Sequence, residues 1–212
     1  MYMNLLFHTH LSHNSPAHLL TTPQSPKAIK SPSLNNLPTP TPEPTTLLTN
    51  GWLPVPRSFT NSLADIDPDK QAVLAAEACE LPDSQLARKT WEFVKAKVSA
   101  RTFHHCLRGH ALISTHFPHL HPLREKFYLT CLLHDLGTTP TNLAATNMSF
   151  EYHGAIQAMH FLRENGAPTD QVEAVGEAII RHADFGETGS VTGLGFLVLL
   201  GTGFGVFFGG AF

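Results

Sequence analysis

The stretch from Cys131 to Thr139 constrains this chain more than any other, because a histidine and an aspartate, His134 and Asp135, follow directly on apolar residues. Placing an imidazole and a carboxylate in apolar surroundings costs free energy unless a cation or a hydrogen-bonding group meets them. Neutral imidazole and carboxylate are common ligands of zinc and iron. The stretch therefore predicts a metal site, and His105, in the His-rich run upstream, is the third ligand we expect.

Successive helix positions point about 100° apart, so His134 and Asp135 share one ion only if it lies beside their helix. His105 would approach from the preceding helix, with Arg108 about one turn further on and able to pair with a carboxylate. In the alternative interpretation, His134 is a satisfied core histidine and Asp135 is a hydrogen-bond acceptor at a helix end. His105 upstream and His182 downstream favour the metal site.

Composition narrows the classes of protein. The chain has 212 residues and a formal net charge of -3, with its basic residues scattered, which argues against a nucleic-acid partner. The three cysteines, Cys79, Cys106 and Cys131, show no paired spacing, which favours reduced thiols and a cytoplasmic protein. Ten of the 14 histidines lie between His104 and His182, within the part that has helical patterning.

The first 50 residues differ from the rest. They are dense in Ser, Thr, Pro and Asn, with strict alternation of proline from Pro38 to Pro44. Such a segment buries little apolar surface to offset its ordering entropy, so we expect residues 1–50 to be a disordered extension. Residues 51–212 are expected to form one helical domain.

The first four predicted helices lead to the His134-Asp135 pair. The first opens at Asp67-Pro68 and continues to Cys79. Asp83 is expected to cap the second, and the third covers about 101–115. The fourth starts near Pro122, is mostly apolar as expected of a central helix, and ends where Gly137 takes the left-handed conformation. The apolar stripe of the second helix comprises Leu86, Thr90, Phe93, Val94 and Val98.

Two further helices are predicted downstream. One covers about 150–165 and stops at Asn165-Gly166, and its apolar stripe comprises Ala155, Ile156, Met159 and Leu162. The next covers about 169–183, where Asp170 and Glu173 resemble a capping box and His182 falls on the inward face with Val172, Val175 and Ile179. Because no segment alternates clearly, the fold class is all-α.

Residues 191–212 carry no charge and are long enough for a membrane span. Seven glycines after Thr192 and the lack of a basic flank favour a helix of the domain instead, with a tail anchor as the alternative.

Several motifs together resemble a known family. His105 followed by His134-Asp135 resembles the HD superfamily of metal-dependent hydrolases. The wider set resembles the fungal cyanamide hydratase family over about residues 51–204, and it comprises Gly51-Trp52, Val55-Pro56, residues 134–139, 148–151, 164–166 and 178–182. The resemblance implies an all-helical HD bundle that binds zinc, or iron, and hydrates the nitrile carbon of a small substrate, cyanamide, to give urea. Such an enzyme is a lyase.

The resemblance also implies roles for single residues. His105, His134 and Asp135 carry over as metal ligands, and Glu151, His182 and Asp184 as pocket or proton-transfer groups. The alternatives are a favourable acid in a first helical turn for Glu151, a core histidine for His182 and a solvated helix-end carboxylate for Asp184.

The C-terminal helix departs from the family pattern. Relatives carry an aspartate there that completes the metal shell, and aligning residues 197–204 with that helix puts Gly205 in its place. We therefore expect an altered or shortened end and weaker metal binding. Two alternatives stay open: an HD phosphohydrolase acting on a nucleotide, against which stands the lack of a basic cluster for phosphate, and a non-catalytic relative with an incomplete site.

Overall fold

The computed structural model describes residues 50–58, 80–116 and 123–207. Residues 1–49 of the predicted extension and the predicted helix from Asp67 to Cys79 lie outside the described residues. Within the described ranges the chain is helical apart from one short pair of strands, and the predicted all-α class is confirmed.

The described ranges contain two strands, seven α-helices and one 3₁₀ turn. A strand is followed by three helices, a 3₁₀ turn, three more helices, a second strand and a last helix. They are β1 (Pro54–Pro56), α1 (Gln85–Lys97), α2 (Ala100–His116), α3 (Arg124–Leu133), the 3₁₀ turn Leu136–Thr138, α4 (Pro140–Ala145), α5 (Phe150–Glu164), α6 (Thr169–Arg181), β2 (Ser190–Thr192) and α7 (Gly193–Phe207).

Helix α3 is the centre of the fold. Its residues 127–133 are all buried, as the unbroken apolar pattern predicts. On one side α3 contributes to a core with α1, α5 and α6, and on another it contributes to a core with α2 and α7. A helix that is apolar all round is stable only when neighbours cover every face, and α3 meets that condition.

Helix α3 ends at Leu133, one residue before His134, and not at Gly137 as predicted. Gly137 lies in the 3₁₀ turn and is not among the described glycines with positive φ, so the predicted left-handed conformation is wrong. The glycine is needed for a different reason. A Cβ at this position would overlap the backbone carbonyl of Phe150, because the start of α5 packs directly on the turn.

Three other local predictions are corrected. Ser84, not Asp83, caps α1, since its hydroxyl accepts from the backbone N–H of Ala87. Ile156 is exposed, and Ala158 takes its place on the buried face of α5. The residue before α6 is Pro168, which gives no side-chain cap, so Asp170 forms no capping box with Glu173.

The end of α5 follows the prediction. Gly166 has φ +81° and follows the last residue of the helix, Glu164, by two positions. The backbone N–H of Ala167 donates to the carbonyl of Leu162, which satisfies one of the final carbonyls of the helix.

The two strands fix the start of α7. They pair antiparallel with Val55 opposite Val191. Just before β1, the carbonyls of Gly51 and Leu53 accept from the backbone N–H groups of Leu194 and Gly193. These are among the first N–H groups of α7, which have no partner inside the helix. Helix α7 has 15 residues, and no helix in the described ranges is long and apolar enough to cross a membrane.

Candidate metal centre

Three predicted ligands meet where α2 passes the end of α3. His105 lies on α2, His134 is the first residue after α3, and Asp135 follows it with φ −96° and ψ 10°. This sparsely populated backbone conformation is common at active sites. Because α3 ends at Leu133, the pair lies in a turn beyond the helix instead of at two consecutive helical positions.

The distances between the three side chains are those of ligands around one ion. Nε2 of His134 is 3.3 Å from Nε2 of His105 and 3.4 Å from Oδ2 of Asp135. Nε2 of His105 is 3.8 Å from the same carboxylate oxygen. Two ligands of a tetrahedral zinc ion, each at about 2.0–2.1 Å from the metal, are separated by about 3.3–3.4 Å. The set is therefore spaced for a shared cation.

The hydrogen bonds of His134 decide which of its nitrogens faces the set. Nδ1 lies 2.8 Å from the carbonyl oxygen of Cys131, which can only accept, so Nδ1 carries the proton and donates it. Burial lowers the pKa of His134, so its ring is neutral and Nε2 holds a lone pair. Burial also lowers the pKa of His105. A lone pair aimed at a carboxylate oxygen is repulsive unless a cation or a proton lies between them.

His182 lies on the other side of the carboxylate. Its Nδ1 donates to the carbonyl of Ile179 at 2.6 Å, and its Nε2 is 3.8 Å from Oδ1 of Asp135. Desolvation by burial, together with the neighbouring His134, lowers the pKa of His182 to about 4. His182 is thus a neutral base beside the three-residue set. It does not belong to the group of ligand atoms that lie within 4.8 Å of one another.

The other two predicted groups are placed differently. Glu151 is half-buried in the first turn of α5, and its charge acts to raise the pKa of His182 against the larger effect of burial. Asp184 is exposed and forms ion pairs with Arg57 at 2.8 Å and with Arg181 at 3.3 Å. Asp184 therefore holds the segment after α6 and is not brought to the three-residue set.

Arg108 is exposed on α2, and within the described ranges it forms no ion pair with a carboxylate. Its charge contributes instead to lowering the pKa of His105. The prediction that Arg108 pairs with a carboxylate is not met among the described residues.

A small, partly open cavity adjoins the set. Helices α2, α3 and α7 line it with small or apolar side chains beside the two histidines. The residues that complete its wall are Cys106, Gly109, Cys131, Val198, Gly201 and Thr202. None of these six residues was predicted from the sequence to line the site. Thr202 stands out there only as a single polar side chain on α7.

The cavity depends on a close approach of α2 and α7. A Cβ at Gly201 would lie 3.3 Å from the carbonyl oxygen of Gly109, and a Cβ at Gly109 would lie 3.4 Å from that of Gly201. Gly205 lies one turn beyond Gly201 on the same helix, so the helix reaches the site but offers no carboxylate at that position.

Fold and site together define an all-helical protein in which one buried histidine, His134, and two half-buried residues, His105 and Asp135, have the spacing of metal ligands. No protein-family profile matches the chain. Two Saccharomyces cerevisiae proteins, cyanamide hydratase DDI2 and cyanamide hydratase DDI3, are each 36% identical to it over 158 residues, which cover 72% of this chain and 68% of each relative. The chain belongs to the cyanamide hydratase family.

Proposed function

We propose that this protein hydrates cyanamide to urea at a divalent metal ion held by His105, His134 and Asp135. The observation that carries the proposal is the convergence of two imidazole nitrogens and one carboxylate oxygen within 4.8 Å of one another. The similarity to two proteins named cyanamide hydratase, over most of the length of both chains, supports the choice of substrate.

The donor set suits a metal on chemical grounds. The lone pair of His134 lies 3.4 Å from the carboxylate oxygen of Asp135, and a cation held between the two would remove their repulsion. Two histidines and one carboxylate leave further coordination positions open, as catalytic zinc sites do. The same three ligands also suit iron(II). We propose zinc as the metal and keep iron as the alternative.

The reaction joins water to a nitrile. A divalent ion at this position would lower the pKa of water to about 7 and so supply the nucleophile. The water oxygen forms a bond to the nitrile carbon, one π bond between carbon and nitrogen breaks, and that nitrogen takes up a proton. The isourea formed then tautomerises to urea, so one water is consumed for each cyanamide.

His182 is the group we propose for proton transfer. Its Nδ1 is committed to the carbonyl of Ile179, and its unprotonated Nε2 faces the carboxylate of Asp135. From there Nε2 accepts the proton that water loses and returns it to the nitrile nitrogen. Glu151 would act through its charge, which favours the protonated form of His182 during the transfer.

The test is metal analysis of the purified protein, followed by an assay of urea release from cyanamide. We expect about one zinc or iron ion per chain, urea formation that stops when a chelator removes the ion, and recovery when the metal is restored. Bound metal without urea release would contradict the proposed substrate and favour a phosphohydrolase, which a nucleotide assay would then reveal.

A second candidate function is favoured by one observation, the glycine at position 205 of α7. A relative that has lost a ligand can keep the helical scaffold and lose the metal. A purified protein without metal, which also fails to take up added zinc, would favour this non-catalytic interpretation.

A further inference from the structure

Thr202 is a buried hydroxyl on α7 that reaches beyond its own helix. Its Oγ1 is 3.0 Å from the carbonyl oxygen of Val198 and 3.1 Å from that of Leu199, which are contacts within α7. It is also 3.0 Å from the carbonyl oxygen of His182, 20 residues earlier in the chain. Thr202 therefore links the last helix to the residue that follows α6.

His182 lies at the end of α6, where backbone carbonyl groups lack hydrogen-bond partners within the helix. The last four carbonyls of a helix have no partner within it, and His182 follows the last residue of α6. The backbone N–H of His182 donates to Ile179 at 3.3 Å, and the ring donates to the same carbonyl at 2.6 Å. With Thr202 on its carbonyl, the backbone of His182 is held at both ends and its ring is held in one orientation.

We propose that Thr202 is a positioning residue for His182, which it holds through the backbone carbonyl so that the imidazole keeps its direction toward Asp135. The inference rests on the proposed function for its effect on activity, but not for its effect on the ring. A proton-transfer group displaced by about 1 Å can lose on the order of a hundredfold in rate. The hydroxyl of Thr202 thus contributes to catalysis through the backbone of His182.

Another buried threonine provides a matched control. Thr90 is 0% exposed, and its hydroxyl donates at 2.8 Å to the carbonyl of Leu86 within its own helix. Thr202 is 7% exposed, and the single proton of its hydroxyl is shared between carbonyls of its own helix and the carbonyl of His182. Replacing either threonine with valine removes one buried hydroxyl from a helix, but only at position 202 does it release another element.

The experiment compares Thr202→Val, Thr202→Ser and Thr90→Val in the full chain. For Thr202→Val we expect kcat for urea release to fall at least about tenfold while KM changes less than about twofold. Thr202→Ser, which restores the hydroxyl, should regain most of kcat, and Thr90→Val should match the parent protein.

A second measurement reads the ring directly. Nitrogen-15 NMR of the histidine side chains should show the Nδ1 and Nε2 resonances of His182 shifted in Thr202→Val and unchanged in Thr90→Val. Unshifted His182 resonances in Thr202→Val would overturn the proposal. If Thr202→Val does not fold, Thr202→Ala takes its place in both measurements.

The two proposals fail in different ways. If the parent protein releases no urea, the proposed function fails, while the His182 resonances still decide whether Thr202 positions the ring. If the parent protein is active and Thr202→Val keeps its full kcat, the positioning role is wrong and the proposed function stands.

Discussion

Two buried histidines, His134 and His110, lie in similar surroundings but have different neighbours. His134 is 3% exposed and His110 is 1% exposed. Desolvation lowers the pKa of both, so both rings are neutral. Nδ1 of His134 donates to the carbonyl of Cys131, and the polar atoms around its Nε2 belong to two groups that can ligate a cation, His105 at 3.3 Å and Asp135 at 3.4 Å. Burial alone therefore does not make a metal site.

His110 shows what a core histidine looks like in this fold. Its ring stacks on Phe127 with centroids 5.5 Å apart and meets the edge of Tyr128 at 5.1 Å. Its Nε2 is 3.3 Å from the hydroxyl of Ser114, which can donate a hydrogen bond as well as accept one. A hydroxyl adapts to a neutral imidazole, whereas a carboxylate needs a cation or a proton. His110 therefore has a hydrogen-bond partner that suits a neutral ring, whereas Nε2 of His134 is placed to bind a cation.

The largest expected effect, the loss of bound metal, is tested by removing the imidazole rings of His134 and His110 in separate variants. His134→Ala should abolish metal binding, because it deletes the ligand closest to the other two. His110→Ala should keep the metal and lower the free energy of unfolding by about 2 kcal/mol, since it leaves a cavity among aromatic rings. Metal content and urea unfolding measure both. Unchanged metal content in His134→Ala would refute the ligand assignment.

The turn that carries Asp135 can be tested through its glycine. Gly137→Ala should lower the free energy of unfolding by about 3 kcal/mol or more, because the new Cβ would overlap the carbonyl of Phe150 at the start of α5. Gly166→Ala is the control. It has open space around it, and only its φ of +81° opposes the change, at about 1 kcal/mol. Equal losses in the two variants would contradict the close packing of α5 on the turn.

The pH dependence of stability should identify His110 as a neutral core residue. Its pKa is about 4 in the folded protein and about 6.5 in the unfolded chain, so between these values the unfolded chain binds more protons. Stability should therefore be complete above pH 6.5 and fall by about 3 kcal/mol as pH drops to 4. His182, with a similar pKa, adds a loss in the same direction.

Urea unfolding at several pH values, with a chelator present, isolates the contribution of His110. The slope of the free energy of unfolding against pH gives the number of protons that the chain takes up on unfolding. In His110→Gln this number should be smaller by about one between pH 4 and 6.5. A slope identical to that of the parent chain would mean that His110 is not buried in its neutral form.

The smallest effect should come from restoring a carboxylate on α7. We expect Gly205→Asp to tighten zinc binding by about tenfold, because it would add an anionic ligand at the position that the family resemblance assigns to an aspartate. Gly205→Asn has a similar shape without the charge and should gain less. Competition with a zinc chelator measures both. If affinity does not rise in Gly205→Asp, the alignment of the last helix is wrong.

The sequence predicted the helices from residue 85 onward, apart from the short α4, because each buries a stripe of apolar side chains with helical spacing. It missed β1 and β2, since three-residue strands such as Pro54–Pro56 are too short to show alternation. It singled out Gly137, but α3 ends earlier, at Leu133, and the glycine is required by the packing of α5 and not by a left-handed conformation. A steric requirement set by α5 is a tertiary contact that no local pattern contains.

Part of the candidate site could also be predicted from the sequence, and part of it could not. His134 and Asp135 stand out because polar groups in an apolar run are costly, and His105 lies on the neighbouring helix. Asp184 belongs to an ion-pair cluster with Arg57, a partner 127 residues away that spacing along the chain does not reveal. Thr202 acts through the backbone carbonyl of His182. A contact between a side chain and a distant backbone group cannot be predicted from the residue types alone.

X-ray absorption at the metal edge of the purified, metal-loaded protein tests the central claim most directly. We expect a shell of nitrogen and oxygen ligands only, at about 2.0–2.1 Å for zinc, with the outer-shell signature of two imidazoles that is lost in His134→Ala. A sulfur ligand at about 2.3 Å, which would implicate Cys106 near His134, or a spectrum that His134→Ala leaves unchanged, would contradict a site built from His105, His134 and Asp135.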